Sequence, residues 1–243
     1  MYLFLTLLVL NSFSQPGLNP GTVDMIIIAH RGGWGNLPLE KSPDILPVVK
    51  GIQDYLLQAG LSSIIINYHR TPVAPFSPGT DCLTRLKTIA EMLDFHHSQA
   101  RCLVHQIESL AGMNSQLKFI LIGISNGALF ANQVIELLPP QLAKRTFSIQ
   151  LGPPFWHSQL RGKNNLILDN EGTDPLTTGE VETILASFLG GLGTFFTRWL
   201  LGKNSRLEEC WHIPYHDYPW EKVQSTVTDF LHRQVITRTA VNH

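Results

Sequence analysis

A serine between residues 117 and 140 lies where the backbone could present it as a nucleophile. An apolar run, Phe119 to Ile122, leads directly into Gly123-Ile-Ser125-Asn-Gly127, and a helical pattern of small and aliphatic residues follows. Small residues around Ser125 allow a tight turn without a Cβ clash, and the amides of the next helix face any negative charge that develops on a substrate. The order of strand, sharp turn and helix predicts a nucleophilic Ser125.

A nucleophilic serine needs a base, a group that orients the base, and donors for the oxyanion. Asp174 follows a short apolar run in a loop, and His216 comes shortly before the last helical pattern of the chain. The order Ser125, Asp174, His216 is the order of serine, acid and histidine in α/β-hydrolases. We predict that His216 is the base and that Asp174 orients its ring.

Neighbouring residues compete for two of these roles. Asp169 and Glu171 lie in the same loop as Asp174 and are alternative acids. His212 is an alternative base, but it lies closer to a predicted strand than His216 does. We therefore favour Asp174 and His216 and keep the other three as rivals.

Further segments resemble motifs of one family. Residues 29–34, AHRGGW, are similar to the HGGGW oxyanion motif of the hormone-sensitive-lipase-like esterases and the related arylformamidases of the α/β-hydrolase superfamily. Residues 67–76, NYHRTPVAPF, resemble their YRLAPEHPF segment, with Asp81 near the acidic residue that opens the next helix. Residues 174–179, DPLTTG, resemble the DPLxxxG segment that carries the acid. The resemblance implies an α/β-hydrolase fold.

The same resemblance implies the oxyanion donors. Gly32 and Gly33 would donate backbone N–H groups, together with the N–H of Asn126, and glycine suits the close approach of backbone to substrate. Three positions depart from the family pattern: Arg31 replaces a glycine, Ile124 an acidic residue and Asn126 an alanine. Arg31 either crowds the loop or binds an anionic group of the substrate.

The predicted activity is hydrolysis of carboxylic esters, or of amides, through an acyl-enzyme, and two other functions compete with it. Residues 26–40 also resemble the IAHRG opening of glycerophosphodiester phosphodiesterases. Those enzymes hold a metal with carboxylates, and residues 63–69, SIIINYH, lack the family's acidic pair. A catalytically silent hydrolase fold that binds lipid or a partner is the third alternative. We expect His30 to support the oxyanion loop rather than to transfer protons.

The composition fits a single globular domain, which we place at residues 22–240. The chain has 243 residues, 44% hydrophobic and 15% charged, and a formal net charge of −1. Nothing in this balance favours nucleic acid as a partner. The three cysteines, Cys82, Cys102 and Cys210, are an odd number without metal-ligand spacing, so we expect buried thiols and no metal. No motif indicates a cofactor.

Residues 1–20 are either a signal peptide or a first strand. An apolar core, Tyr2 to Leu10, is followed by small residues at Ser12 and Ser14, but no Lys or Arg precedes it. The core is too short to span a bilayer as a helix. If residues 1–14 are a signal peptide, the protein is secreted or membrane-associated; otherwise it is cytoplasmic.

Apolar runs and helical patterns alternate along the chain. Strands are predicted at Met25–Ala29, Ser63–Asn67, Phe119–Ile122, Thr146–Leu151, Asn165–Leu168 and Cys210–Ile213. Helices are predicted after Ser42, which can cap with Pro43 at the first helical position, over 81–111 with a break at 95–100, and around 223–231. This alternation predicts a mostly parallel sheet with helices on both faces.

An apolar segment at about residues 184–202 separates the predicted acid from the predicted base. Gly190, Gly191 and Gly193 weaken a single helix, and Arg198 argues against a membrane span. The segment is either a lid or acyl-pocket wall that also touches lipid, or a helical crossover packed on the sheet. The lid alternative implies a small-molecule ester with an apolar acyl group as substrate, and peripheral membrane contact.

Overall fold

The computed structural model describes residues 22–33, 38–70, 83, 97–156, 162–202, 210 and 212–237. Several sequence predictions lie outside these residues. They are the N-terminal segment 1–20, the second half of the YRLAPEHPF-like segment, Asp81 and Cys82.

Within the described residues the sheet has five parallel strands in the order β2-β1-β3-β4-β5. The strands are β1 Met25–His30, β2 Ser63–Asn67, β3 Lys118–Ile124, β4 Thr146–Leu151 and β5 Asn165–Leu168. Five of the predicted strands are thus present, and β3 lies at the centre. The predicted parallel sheet is confirmed.

The central strands are buried on both faces. Every residue of β1 and β4 is buried, as is all of β3 except Lys118. Strands covered on both sides favour continuous apolar runs, as in β1 and β3, whereas β4 alternates apolar residues with Thr146, Ser148 and Gln150, which are also buried. Two apolar clusters, one on each face, pack the sheet against helices.

The helices cover both faces, as predicted. They are α1 Leu46–Gln58, α2 His97–Met113, α3 Asn126–Leu137, α4 Pro140–Ala143, α5 Pro175–Thr178, α6 Val181–Leu200 and α7 Trp220–Leu231, which a π-helical turn, His232–Ile236, extends. Helices α1 and α7 pack on one face, and α2 and α3 on the other. The stripe predicted for the last helix is buried: Val223, Val227, Phe230 and Leu231.

The predicted cap at Ser42 is wrong. Helix α1 begins at Leu46, because the Ser42 carbonyl accepts the amides of Ile45 at 3.2 Å and of Leu46 at 3.0 Å and so forms a turn. The Ser42 hydroxyl donates to the carbonyl of Pro38 at 3.0 Å and caps no helix.

The predictions around two cysteines are also wrong. Cys210 is helical and residues 212 and 213 are irregular, so there is no strand there; Pro214, which has no N–H to donate, follows. Cys102 is exposed on α2 rather than buried, and Cys210 is half-buried.

The carboxyl ends of the strands meet at one edge of the sheet, where ligands bind in open α/β folds. The strand register pairs His30 with Gly123 and Ile124 with Leu151. The loops that follow β1, β3 and β4 therefore begin side by side.

Candidate active site

Ser125 occupies a strained turn between β3 and α3. Its φ of 54° and ψ of −124° lie in a region that non-glycine residues rarely adopt. Its amide donates to the carbonyl of Leu151 at 2.8 Å, and its carbonyl accepts the amide of Ala128 at 2.9 Å. These bonds hold the turn on both sides, and the order of strand, strained serine and helix is the one that a nucleophile elbow requires; the nucleophilic role of Ser125 stays a prediction.

The glycines that flank Ser125 are required by packing. A Cβ at Gly123 would lie 2.3 Å from the carbonyl of Gly127, and a Cβ at Gly127 would lie 2.1 Å from the carbonyl oxygen of His30. No side chain fits at either position. The Gly-x-Ser-x-Gly pattern thus reflects how closely the turn packs on itself and on the end of β1.

His216 and Asp174 form a hydrogen-bonded pair. The Nδ1 atom of His216 is 2.7 Å from Oδ2 of Asp174, and the two side chains are 13% and 0% exposed. The Nε2 atom of His216 is buried and has no hydrogen-bond partner among the described residues. A ring bound to a carboxylate through Nδ1 keeps Nε2 free to accept a proton.

The rival residues take other positions. The backbone carbonyl of Asp169 accepts the amides of Gly172 and Asp174, each at 3.2 Å, and thus shapes the turn that leads to the acid. Glu171 and His212 are exposed. Of the three carboxylates in the loop, Asp174 is the one beside His216; its catalytic role stays a prediction.

Asp174 is oriented by both of its oxygens. Oδ1 accepts the amide of Leu176 at 2.9 Å and so caps α5, while Oδ2 accepts from His216 and from the hydroxyl of Tyr218. Burial raises the pKa of the Asp174 carboxyl. The hydrogen bond and charge of His216, with the donors from Tyr218 and Leu176, lower that pKa by more than burial raises it, so the net shift is downward. The carboxyl is therefore ionised at neutral pH.

Tyr218 was not among the residues chosen from sequence. Its side chain is buried, and its ring stands edge-on to that of His216, with centroids 5.9 Å apart. Burial, with the hydrogen bond and charge of Asp174, raises the pKa of the phenol, which therefore stays a neutral donor. The spacing of His216 and Tyr218 was the available signal, since residues two apart in an extended segment share a side.

Gly152 was also missed. It follows β4 with a φ of 54°, and a Cβ there would lie 2.4 Å from Oδ2 of Asp174 and 2.4 Å from Cε1 of His216. Its neighbour Leu151 accepts the amide of Ser125 at 2.8 Å. The end of β4 thus contacts the turn of Ser125 and, one residue later, the Asp174–His216 pair.

The loop after β1 passes beside Ser125. A Cβ at Gly32 would lie 3.4 Å from the Cβ of Ser125 and 3.3 Å from the carbonyl oxygen of Ile124. Gly33 has a φ of 57°, and Asn126 is the first residue of α3. Gly32 and Asn126 therefore lie beside Ser125, and the donor role of these two residues and of Gly33 stays a prediction.

Arg70 ties this loop to α3, a contact that sequence reasoning did not find. Its side chain is fully buried, and its guanidinium donates to the carbonyls of Asn126 at 3.1 Å, Arg31 at 2.6 Å and Gly33 at 2.8 Å. The guanidinium carbon also lies 5.9 Å from the ring centroid of Phe130. Burial lowers the pKa of Arg70 to about 9, so the group is still cationic at neutral pH.

His30 and Arg31 have structural contacts. His30 is fully buried, 4.9 Å from Phe130 by ring centroids, and burial, with the charge of Arg70, lowers its pKa to about 3. A neutral, packed ring agrees with the supporting role expected for it. Arg31 forms an ion pair with Asp44 at 3.6 Å, so its side chain reaches toward the residues before α1.

Residues 184–200 of the apolar segment belong to one helix, α6, which continues through all three glycines, and residues 201 and 202 form a turn after it. Its large exposed side chains fall on one side of the helix: Val181, Leu185, Leu189, Phe196 and Leu200. That side does not pack on the sheet. Among the described residues, no helix combines the length and apolarity needed to cross a membrane.

Two aromatic residues lie near the start of α6. Phe155 and Trp156 are 42% and 51% exposed, with ring centroids 5.1 Å apart. The ring of Phe155 lies against Gly179, where an added Cβ would be 3.1 Å away, and its amide donates to the carbonyl of Leu176 at 2.8 Å. An exposed apolar surface thus adjoins the loop that carries Asp174.

Comparison with known proteins gives likenesses among solved structures alone. The chain matches no protein-family model and no curated protein. Among solved structures it is similar to a Trichoderma reesei cutinase in complex with a C11Y4 phosphonate inhibitor, with a TM-score of 0.45, 14% sequence identity and 72% of each chain covered.

Proposed function

We propose that this protein is a serine hydrolase that cleaves carboxylic esters through an acyl-enzyme intermediate. One observation carries the proposal. The hydrogen bond between Asp174 and His216, which leaves the buried Nε2 unpartnered among the described residues, occurs at the sheet edge where Ser125 occupies its strained turn. A nucleophile, a base and an orienting acid are the groups that acyl transfer requires.

The proposed reaction begins when the Oγ atom of Ser125 attacks the ester carbonyl carbon. Nε2 of His216 accepts the serine proton, and ionised Asp174 stabilises the resulting imidazolium. The tetrahedral intermediate collapses when the C–O bond to the alcohol breaks and His216 returns the proton to that alcohol. Water, activated by the same imidazole, then hydrolyses the acyl-enzyme and regenerates Ser125.

The negative charge on the intermediate needs donors that are already in place. We assign this role to the backbone N–H groups of Gly32, Gly33 and Asn126. Arg70 supports the assignment because it bonds carbonyls of the loop and of α3 at once, and so fixes the N–H groups of both segments relative to each other. Arg70 acts as a positioning residue, since its guanidinium is buried and occupied by backbone.

The substrate is proposed to carry an apolar acyl group. Support comes from Phe155 and Trp156 and from the exposed side of α6, which give this part of the molecule an apolar surface beside the acid loop. Ligand sites are mostly apolar with a few polar groups. The same surface is suited to peripheral contact with lipid.

The test is Ser125→Ala measured against p-nitrophenyl esters of increasing acyl length. We expect kcat to fall on the order of a million-fold, because the attacking oxygen is removed. Catalytic efficiency of the wild type should rise with acyl length, since each buried methylene adds roughly 0.8 kcal/mol. Ser109→Ala is the matched control, because its hydroxyl donates to the carbonyl of His105 on α2, away from the site.

A fluorophosphonate probe makes the test independent of substrate choice. We expect labelling of the wild type and of Ser109→Ala but not of Ser125→Ala. Activity of Ser125→Ala within tenfold of wild type would contradict the proposal. A protein that neither hydrolyses esters nor is labelled would be a silent hydrolase fold, and metal-dependent phosphodiester cleavage would identify a different enzyme; either result overturns the proposal.

A further inference from the structure

We propose that Tyr218 is a positioning residue for the reaction, because its hydroxyl holds the carboxylate of Asp174 in the orientation that His216 uses. This inference rests on the proposed function of Ser125, Asp174 and His216. It assigns to a residue outside the triad control over how the acid and the base meet.

The contacts of the carboxylate carry the inference. Both the His216 ring and the Tyr218 hydroxyl donate to Oδ2, while the amide of Leu176 donates to Oδ1. A carboxylate oxygen has two lone pairs, so two donors occupy Oδ2 fully. With the third donor on the other oxygen, rotation of the carboxylate would break at least one bond.

The fold leaves the Tyr218 hydroxyl little freedom to move away. Tyr218 is 2% exposed and belongs to the apolar cluster beneath α1 and α7. It immediately precedes Pro219, the residue that caps α7, and its ring meets the His216 ring at an interplanar angle of 88°. The aromatic ring is therefore anchored in the core, and its single polar atom is directed at the acid.

The Tyr218 hydroxyl also affects how much negative charge the Asp174 carboxylate presents to His216. By donating to Oδ2 it disperses part of the negative charge and favours the ionised carboxylate. Removing it leaves a buried lone pair without a partner and frees the carboxylate to turn. Both changes disturb the bond between Asp174 and His216, and neither requires Tyr218 to touch the substrate.

The first experiment compares kcat and KM across pH for the wild type and Tyr218→Phe. We expect kcat to fall about ten- to a hundredfold, as for loss of a hydrogen bond to a charged group, with KM changed less than about twofold. The acid limb of kcat/KM should move to higher pH, because the Asp174 carboxylate beside the proposed base keeps more of its negative charge once the donor is lost. Tyr55→Phe, at a half-buried tyrosine on α1, is the control and should match the wild type.

A second readout does not need activity. The proton between His216 Nδ1 and Asp174 gives a downfield NMR resonance, which we expect to move in Tyr218→Phe and to stay in place in Tyr55→Phe. Replacing Tyr218 alone with 3-fluorotyrosine makes its phenol a stronger hydrogen-bond donor. This variant keeps the native packing and so provides the test even if Tyr218→Phe does not fold. With that replacement the acid limb should move to lower pH.

The outcomes separate this inference from the proposed function. If the wild type hydrolyses esters while the acid limb and the resonance are unchanged in both Tyr218 variants, the inference is wrong and the hydrolase proposal stands. If the wild type shows no hydrolysis and no labelling at Ser125, the proposed function fails, and with it the inferred part of Tyr218 in catalysis. A shifted resonance together with a shifted acid limb supports the inference.

Discussion

Replacing Gly152 with alanine is expected to remove ester hydrolysis while the protein stays folded. Gly152 follows β4 and lies against the Asp174–His216 pair. The added methyl group is small, and its predicted effect comes entirely from where it points.

The magnitude follows from two distances. The new Cβ would lie 2.4 Å from Oδ2 of Asp174 and 2.4 Å from Cε1 of His216, whereas ordinary contacts begin at 3.4 Å. The side chains must therefore move by about 1 Å, enough to break their 2.7 Å hydrogen bond. In a serine, histidine and acid triad, loss of the correctly bound acid lowers kcat by about ten-thousandfold, and we expect a loss of that order.

The part of the stability effect that comes from backbone strain should be modest. An alanine at the φ of 54° observed for Gly152 costs about 1–2 kcal/mol. For a chain of this size that corresponds to a fall in Tm of roughly 2–8 °C. Gly60→Ala is the matched control, because Gly60 has a φ of 78° and an added Cβ would meet nothing within 4 Å.

The assay is kcat for a p-nitrophenyl ester together with thermal unfolding of both variants. We expect both variants to lose stability, Gly152→Ala the more because its Cβ also displaces the buried Asp174–His216 pair, and only Gly152→Ala to lose activity. If folded Gly152→Ala keeps kcat within tenfold of wild type, the prediction is wrong: either the Asp174–His216 pair is not used in catalysis, or Gly152 does not lie closely against it.

Three further predictions concern the acid and the buried cation. Asp174→Asn should lower kcat about ten-thousandfold, while Asp169→Asn should change it less than about threefold; equal losses would reject the assignment of the acid. Folding lowers the pKa of Asp174. The ionised carboxyl therefore stabilises the fold at any pH above its pKa in the unfolded chain, about 3.9, and this contribution is lost as the pH falls through the lower pKa of the folded protein. The free energy of unfolding, measured with urea, should therefore decline more steeply below pH 4 in the wild type than in Asp174→Asn. Arg70→Met should lower both kcat and Tm, because three backbone carbonyls lose their donor. The surface variant Arg233→Met is the control and should change neither. An unaltered kcat in Arg70→Met would show that Arg70 does not position the oxyanion loop.

Sequence alone predicted those elements whose structure depends on a local pattern of residues. Continuous apolar runs predicted the buried strands β1 and β3, since a strand covered on both faces has no polar side; shorter or alternating apolar patterns predicted β2, β4 and β5. The glycines around Ser125 predicted the tight turn for the reason that the structure shows: no side chain fits at Gly123 or Gly127. The apolar spacing of the last helix likewise predicted its buried stripe.

Local patterns misled where several local structures have similar free energies. Ser42 and Pro43 fit a helix start, but the Ser42 carbonyl forms a turn first and α1 begins at Leu46. The residues Cys210–Ile213 have the composition of a short strand, yet 212 and 213 pair with no strand in the described part of the chain. A strand of that length needs a partner, which the sequence does not reveal.

The tertiary structure decided which distant residues meet. Gly152 and Arg70 carry no local sign of their contacts, and Tyr218 carries only its spacing from His216; each acquires its place through contacts with residues tens of positions away. These contacts follow from the register of parallel strands, which sets His30 beside Gly123 and Ile124 beside Leu151. Sequence alone predicts the chain order of the proposed serine, acid and histidine. The distances between these residues depend on how the strand ends align, and only the packing of the whole sheet determines that alignment.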